Sequence, residues 1–100
     1  MIEHKHLIVK GTYSRLMTNE RVLNFLNDLV EILDMKLMDL PNNPNVGYVG
    51  GKGSGNTGVA IITTSHIVLH AWEETMDYQL DIYSCKVFDP KVVLSYCNEI

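Results

Sequence analysis

Three side chains in the second half of the sequence, Ser65, His70 and Cys85, could carry out chemistry together. A serine hydroxyl is a weak nucleophile until a neighbouring base takes its proton, and histidine can act as that base near neutral pH. A thiol titrates close enough to neutrality to return a proton to a reacting carbon. Singly, such residues are usually a turn residue, a core histidine and a buried thiol. As a set, they predict hydroxyl attack and proton transfer, provided that they converge on one pocket.

Two glycine-rich patterns suggest phosphate binding, but their surroundings argue against it. Residues 53–58 match G-x-G-x-x-G, which in a dinucleotide-binding fold follows a strand and opens a helix. The next residues, 59–62, instead favour a strand, so a flexible loop is the better interpretation. Lys52 is followed by Gly53, where a phosphate-binding loop needs a serine or threonine to reach magnesium.

Four histidines, His4, His6, His66 and His70, raise the question of a metal site. Alternation along a strand would place His66, His70 and Trp72 on one face. A closed zinc site needs four convergent ligands, usually including thiolates or carboxylates at short spacing, and no such partners are identifiable here. We therefore predict no metal, and a structural or catalytic role for individual histidines.

The composition predicts one globular domain that covers residues 1–100. Hydrophobic residues make up 46% of the sequence and charged residues 20%, as in ordinary soluble domains. The formal net charge is -4 and the basic residues are scattered, which argues against nucleic-acid binding. No apolar run is long enough for a membrane span, and the N-terminus lacks a secretory signal. We expect Cys85 and Cys97 to be reduced thiols in the cytoplasm.

The first half of the sequence predicts a strand, a helix, a second strand and a loop. Residues 7–10 form a short apolar run that ends near Gly11. Thr18 or Asn19 can cap a helix in which apolar residues recur at helical spacing. Residues 37–40 could form a second strand that Pro41 ends, and the Pro, Asn and Gly content of residues 41–56 predicts a loop.

The second half of the sequence predicts three strands and a closing helix. Residues 59–63, 67–72 and 80–83 are β-prone runs at hairpin spacing. Asp89 and Pro90 supply an N-cap and a proline at the first helical position. The element order β-α-β-β-β-β-α predicts an α+β two-layer sandwich, in which a mainly antiparallel sheet carries two helices on one face.

The segment from Thr57 to Asp81, with the residues after it, resembles the S-adenosylmethionine decarboxylases of bacteria and archaea. Their hallmark is a Ser-His pair at a strand junction, matched here by residues 65–66, with a second histidine and a tryptophan shortly afterwards, matched by His70 and Trp72. A strand that ends in cysteine and a following Asp-Pro complete the pattern. Before Thr57 only the first strand and helix agree with the family.

The resemblance implies a role for each of these residues. Ser65 would attack the carbonyl of Thr64, and the chain would then be cut between them, leaving a pyruvoyl group in place of Ser65. His70 would assist this processing, and Thr57 would orient the intermediate. The pyruvoyl group would act as the electron sink for decarboxylation. Cys85 would then reprotonate the substrate carbon.

The resemblance also implies the substrate and the assembly. Glu74 would bind the ribose hydroxyls of S-adenosylmethionine, since a carboxylate offers both hydrogen-bond acceptors and attraction for the sulfonium charge. Tyr48 or Trp72 would stack on the adenine or wall its pocket. The product would serve polyamine (spermidine) synthesis. Short members of the family form two-fold dimers with sites near the interface, so a homodimer is expected.

Three features depart from the family pattern. Relatives usually have glutamate where Thr64 stands and serine where Thr57 stands, and the extra methyl of threonine restricts its rotamers. Relatives also continue beyond the position of Ile100 into one more strand, and a partner subunit would be the usual cover for the bare edge. Two alternatives therefore stay open. One is an unprocessed, non-catalytic homologue that acts as a binding or regulatory partner, and the other is a pyruvoyl decarboxylase of arginine or ornithine.

Overall fold

Five antiparallel strands form one sheet in the computed structural model, which describes residues 2–100. The strands are β1 (Lys5–Thr12), β2 (Asn45–Val49), β3 (Gly55–Ile62), β4 (Ser65–Trp72) and β5 (Asp77–Ser84). Their order across the sheet is β1-β5-β4-β3-β2. β4 is therefore the central strand, and each of its residues pairs with one residue of β3 and one of β5.

Alternation along the central strands gives the sheet one buried face. Ile67 and Leu69 on β4, and Leu80 and Ile82 on β5, are fully buried, while the residues between them stay partly exposed. Burying apolar surface stabilises a fold by roughly 25 cal/mol per Å². This face therefore forms one side of the core, and within residues 2–100 both helices pack against it.

The first helix, α1 (Asn19–Ile32), forms as the sequence predicts. Thr18 is its N-cap, and the Thr18 hydroxyl oxygen accepts a hydrogen bond from the backbone nitrogen of Arg21 at 3.1 Å. Such a cap satisfies one of the free N–H groups of the first turn. Leu26 and Leu29 are fully buried against the sheet, because their spacing puts them on one face of the helix.

The second helix, α2 (Pro90–Cys97), also begins where the Asp89-Pro90 pair predicts, with Asp89 as N-cap. The Tyr96 ring lies 5.1 Å from the Phe25 ring of α1, measured between ring centroids. Burial, with Cys97 nearby, raises the pKa of Tyr78 on β5 to about 12.

The predicted α+β sandwich, with two helices on one face, is confirmed. Neither helix of the described residues is long and apolar enough to cross a bilayer.

The predicted strand at residues 37–40 is wrong. Only Leu37 pairs with the sheet, through a single antiparallel bridge to Ile62. The Asn43 side chain takes the place of further strand pairing, because it both donates to the carbonyl oxygen of Ile61 at 2.7 Å and accepts from the Ile61 nitrogen at 2.9 Å. The same amide donates to the Met38 carbonyl at 2.8 Å.

The predicted loop at residues 41–56 contains the second strand of the chain, β2, instead. β2 pairs with β3 along its whole length, and its residues are mostly exposed. An edge strand of this kind forms through backbone hydrogen bonds to a neighbour and needs little side-chain burial. The number and order of elements are thus as predicted, although the second strand lies elsewhere.

We predict that Gly55→Ala destabilises the protein, because β3 and β4 approach closely at this position. A Cβ atom at Gly55 would clash with the carbonyl oxygen of Ala71, which is backbone and cannot rotate away. The expected loss is about 2 kcal/mol, within the range for overpacked sites. Urea unfolding measures it. Gly47→Ala is the control, because a Cβ there meets open space and should leave the midpoint almost unchanged.

Candidate active site

Thr64 and Ser65 lie in a tight hairpin between β3 and β4. Ile62 and Ser65 are cross-strand partners, so Thr63 and Thr64 alone form the turn. Ser65 has a φ of +148°. Backbone conformations in this region cost a residue other than glycine about 1–3 kcal/mol, and they persist only where neighbouring structure enforces them. The hairpin therefore places strain at the serine that the sequence predicts to react.

The end of β5 holds this hairpin in place. The backbone nitrogen of Cys85 donates to the carbonyl oxygen of Thr64 at 3.0 Å. The Ser84 hydroxyl donates to the Thr64 hydroxyl at 2.9 Å and accepts from the Lys86 nitrogen at the same distance. A donor on a carbonyl oxygen stabilises the charge that develops when a nucleophile attacks the carbon. The Thr64 carbonyl is therefore prepared for attack.

The Cys85 thiol is accessible beside the same hairpin. Cys85 is exposed and lines a cavity of about 320 Å³ together with His4, Ser84 and neighbouring residues. Cys97, the other cysteine, is buried in the core, where burial raises the pKa of its thiol. Of the two thiols, Cys85 is thus the one that a small molecule can reach.

Thr57 and His70 form a second group on β3 and β4. They are cross-strand partners, and the Thr57 hydroxyl oxygen lies 3.0 Å from Nδ1 of His70. The Trp72 ring stacks on the His70 ring, with 5.9 Å between ring centroids and 26° between ring planes. These three residues share a cavity of about 210 Å³. A hydroxyl and an imidazole in hydrogen-bond contact can relay a proton.

The two groups do not converge within one chain. Ser65 and His70 are five residues apart on β4, which corresponds to about 17 Å along an extended strand. The odd spacing also places the two positions on opposite faces of the sheet. The structure therefore brings the Thr64–Ser65 peptide to the backbone of Cys85 and Thr57 to His70, but the single pocket expected for Ser65, His70 and Cys85 is absent from residues 2–100 of one protomer.

The expected substrate-binding residues lie at the far end of β4. Tyr48 donates a hydrogen bond to the carboxylate of Glu73, and this bond raises the pKa of the Tyr48 hydroxyl. Glu74 is exposed in the loop between β4 and β5. Sequence reasoning singled out Glu74 and missed Glu73, because nothing in the sequence shows which of two adjacent carboxylates meets an aromatic hydroxyl.

A larger cavity adjoins Trp72. Its volume is about 560 Å³, which is within the range of small-molecule sites. Lys10, Thr12 and Asp77 contribute polar groups to its lining. Trp72 thus lies between two cavities, one shared with His70 and one open to the ends of β1 and β5.

Two further histidines meet a carboxylate on the sheet face opposite the helices. Nε2 of His6 lies 2.9 Å from Oδ1 of Asp81, and Nε2 of His66 lies 3.3 Å from the same oxygen. The Tyr83 ring stacks on the His66 ring. Within residues 2–100 no group of three or more histidine, cysteine or acidic residues has the geometry to hold a metal ion. These contacts are hydrogen bonds between side chains of adjacent strands.

The fold and the hairpin define a class of small α+β domains. In this class the central strand begins with a serine in a strained backbone conformation, and a cysteine just after the neighbouring strand donates its backbone N–H to the residue before that serine. A family model described as S-adenosylmethionine decarboxylase matches residues 5–100 of this chain. The chain belongs to the S-adenosylmethionine decarboxylase family, as the resemblance in its sequence predicts.

Relatives with the same description support this membership. A protein named S-adenosylmethionine decarboxylase proenzyme, from Clostridium botulinum strain Hall, is 30% identical over 98 residues, which cover 94% of this chain and 79% of the relative. Proteins of the same name from the Langeland and Loch Maree strains of that species are 28% identical over the same share of each chain.

We predict that Glu73→Gln lowers the pKa of Tyr48 toward its ordinary value. The ionised phenolate would lose its hydrogen bond to the Glu73 carboxylate and face a like charge, and the substitution removes that charge. Ultraviolet difference titration of the tyrosines measures the change, with Tyr48→Phe identifying the signal. Glu74→Gln is the matched control and should leave the titration of Tyr48 unchanged.

Proposed function

We propose that this chain is a proenzyme that cleaves itself between Thr64 and Ser65 and then decarboxylates S-adenosylmethionine for spermidine synthesis. One observation carries the proposal. In a member of this decarboxylase family, the serine that would react has a strained backbone, and the carbonyl that it would attack accepts the Cys85 N–H. The cytoplasm, where thiols stay reduced, suits the exposed Cys85.

Self-cleavage proceeds in two stages. The Ser65 hydroxyl adds to the Thr64 carbonyl carbon and gives its proton to a base. The carbon–nitrogen bond then breaks, the amine takes a proton, and an ester replaces the amide. A base next removes the α-proton of Ser65, and the ester carboxylate of Thr64 leaves from the β-carbon. The resulting enamine takes up water and releases ammonia, which leaves a pyruvoyl group as the new N-terminus.

The residues beside the hairpin suit the group that this cleavage would create. A pyruvoyl carbonyl supplies an electron sink for the loss of carbon dioxide. Cys85 directly follows Ser84, the cross-strand partner of Ser65, and is exposed to the cavity of about 320 Å³, so its thiol would deliver a proton to the product carbon. The strain at Ser65 ends once the peptide bond is cut, which favours the forward reaction.

A homodimer completes the site. Thr57 and His70 lie about 17 Å along β4 from Ser65, so a second chain has to supply them. The sheet face opposite the helices exposes Ile8, Ile61 and Trp72, which are apolar side chains that a second sheet would cover. A two-fold axis perpendicular to the strands and between two such faces places the Thr57–His70 end of one sheet over the β3–β4 hairpin of the other, where the Thr64–Ser65 peptide lies.

The residues around Trp72 favour a nucleoside substrate over arginine or ornithine. Trp72 and Tyr48 are exposed aromatic residues that offer flat apolar surface to a purine. Glu74 is exposed nearby and free to accept hydrogen bonds from ribose hydroxyls. A binding role without cleavage remains the second candidate, and the departures at Thr57 and Thr64 are the observations that favour it.

We predict that purified wild-type protein separates into two fragments, with the cut between Thr64 and Ser65, and that Ser65→Ala abolishes the cut. Cys85→Ser should still be cut, but its release of carbon dioxide from S-adenosylmethionine should fall by about 100-fold or more, as expected when a positioned proton donor is lost. Intact-mass spectrometry and a radiolabelled carbon dioxide assay measure the two effects. A single intact wild-type chain without decarboxylase activity would instead overturn this proposal and favour the binding role.

We predict that two inactive variants complement each other. Ser65→Ala chains keep His70, and His70→Ala chains keep Ser65, so a mixed dimer contains one site with both residues. When the variants are co-expressed with different tags, the His70→Ala chain should be cut, although neither variant is cut alone. Failure of the mixture to cut, with mixed dimers present by tag capture, would place the complete site within one chain.

A further inference from the structure

We propose that Ser84 is a positioning residue for self-cleavage, and that its buried hydroxyl orients the Thr64–Ser65 peptide toward attack. The inference rests on the proposed self-cleavage and adds a residue to it. Ser84 is the cross-strand partner of Ser65 at the end of β5 and is fully buried. It is one of two polar residues among the buried positions of the described chain, so its hydroxyl needs partners inside the protein.

The Ser84 hydroxyl both donates and accepts a hydrogen bond. It donates to the Thr64 hydroxyl oxygen at 2.9 Å and accepts from the backbone nitrogen of Lys86 at 2.9 Å. The bond from Lys86 closes a short turn immediately after β5 and fixes where the Ser84 oxygen lies. The hydroxyl hydrogen is therefore left to point at Thr64.

Two bonds from consecutive residues then hold Thr64 at two points. Cys85 N–H holds the carbonyl oxygen of Thr64 at 3.0 Å, and Ser84 holds its side chain. Because threonine is β-branched, fixing its hydroxyl also restricts its backbone. With both points fixed, the peptide plane between Thr64 and Ser65 cannot rotate the carbonyl away from the Cys85 N–H. Ser84 thereby keeps that donor aimed at the oxygen that gains charge during attack.

The segment after β5 is anchored on its other side as well. The Lys86 ammonium donates to the carbonyl oxygen of Asp34, in the turn after α1, and lies 3.5 Å from the Asp34 carboxylate. Lys5 on β1 donates to the carbonyl of Phe88 at 3.0 Å. The end of β5 is thus tied to two other elements, which makes it a firm support for the hairpin.

The test compares rates of chain cleavage in wild type, Ser84→Ala, Ser84→Thr, Thr64→Val and the double variant Ser84→Ala/Thr64→Val. Each is followed by denaturing gel, with and without hydroxylamine, which splits the ester and so reports the first stage alone. Ser84→Ala and Thr64→Val should each slow that stage by about 10–100-fold, the scale expected for a misplaced reacting group. Ser84→Thr, which keeps the hydroxyl, should recover most of the rate.

The double variant separates positioning from general destabilisation. If both residues act through their shared hydrogen bond, the double variant is no slower than either single variant. Thr64 is half-buried, so Thr64→Val tests the bond even if Ser84→Ala does not fold, and circular dichroism identifies that case. Wild-type rates in Thr64→Val, or multiplied losses in the double variant, would overturn the role of Ser84 and leave self-cleavage standing. A wild-type chain that stays whole even in hydroxylamine would overturn both proposals.

Discussion

The hydrogen bond from the Cys85 nitrogen to the Thr64 carbonyl joins the β3–β4 hairpin to the end of β5. A residue other than glycine keeps a φ of +148° only where its surroundings enforce that conformation. The bond from Cys85 to Thr64 is one of the contacts that enforce it at Ser65. The same contact brings the backbone of Cys85 beside the Thr64–Ser65 peptide. Strain, a polarised carbonyl and an accessible thiol therefore all depend on the pairing of three strands in one register.

The register of β4 also explains why the site is divided. Its partners on β3 and β5 place Ser65 at one end and Trp72 at the other, with His70 near the second end. A strand of eight residues is long compared with the reach of a side chain, so one sheet cannot bring both ends to one substrate. The proposed homodimer would resolve this difficulty, and it would also cover apolar residues that a single chain leaves in water.

Most of the fold followed from local patterns. The N-caps Thr18 and Asp89, the helical spacing of Leu26 and Leu29, and the alternation along β4 are short-range features that hydrogen bonding and burial fix directly. The misplaced second strand had no such pattern. β2 is a mostly exposed edge strand that depends on β3, while Asn43 takes the pairing groups of Ile61 that a strand at residues 37–40 would have used.

The sequence alone determined which chemical groups are available and which family uses them. The reason is that the spacing of Ser65, His70 and Cys85 along the chain can be read directly from the sequence. Their arrangement in space was decided only by the tertiary structure, because strand register and turn geometry arise from contacts between distant segments. No local rule foretold that the buried Ser84 would bond the Thr64 hydroxyl or that Tyr48 would meet Glu73.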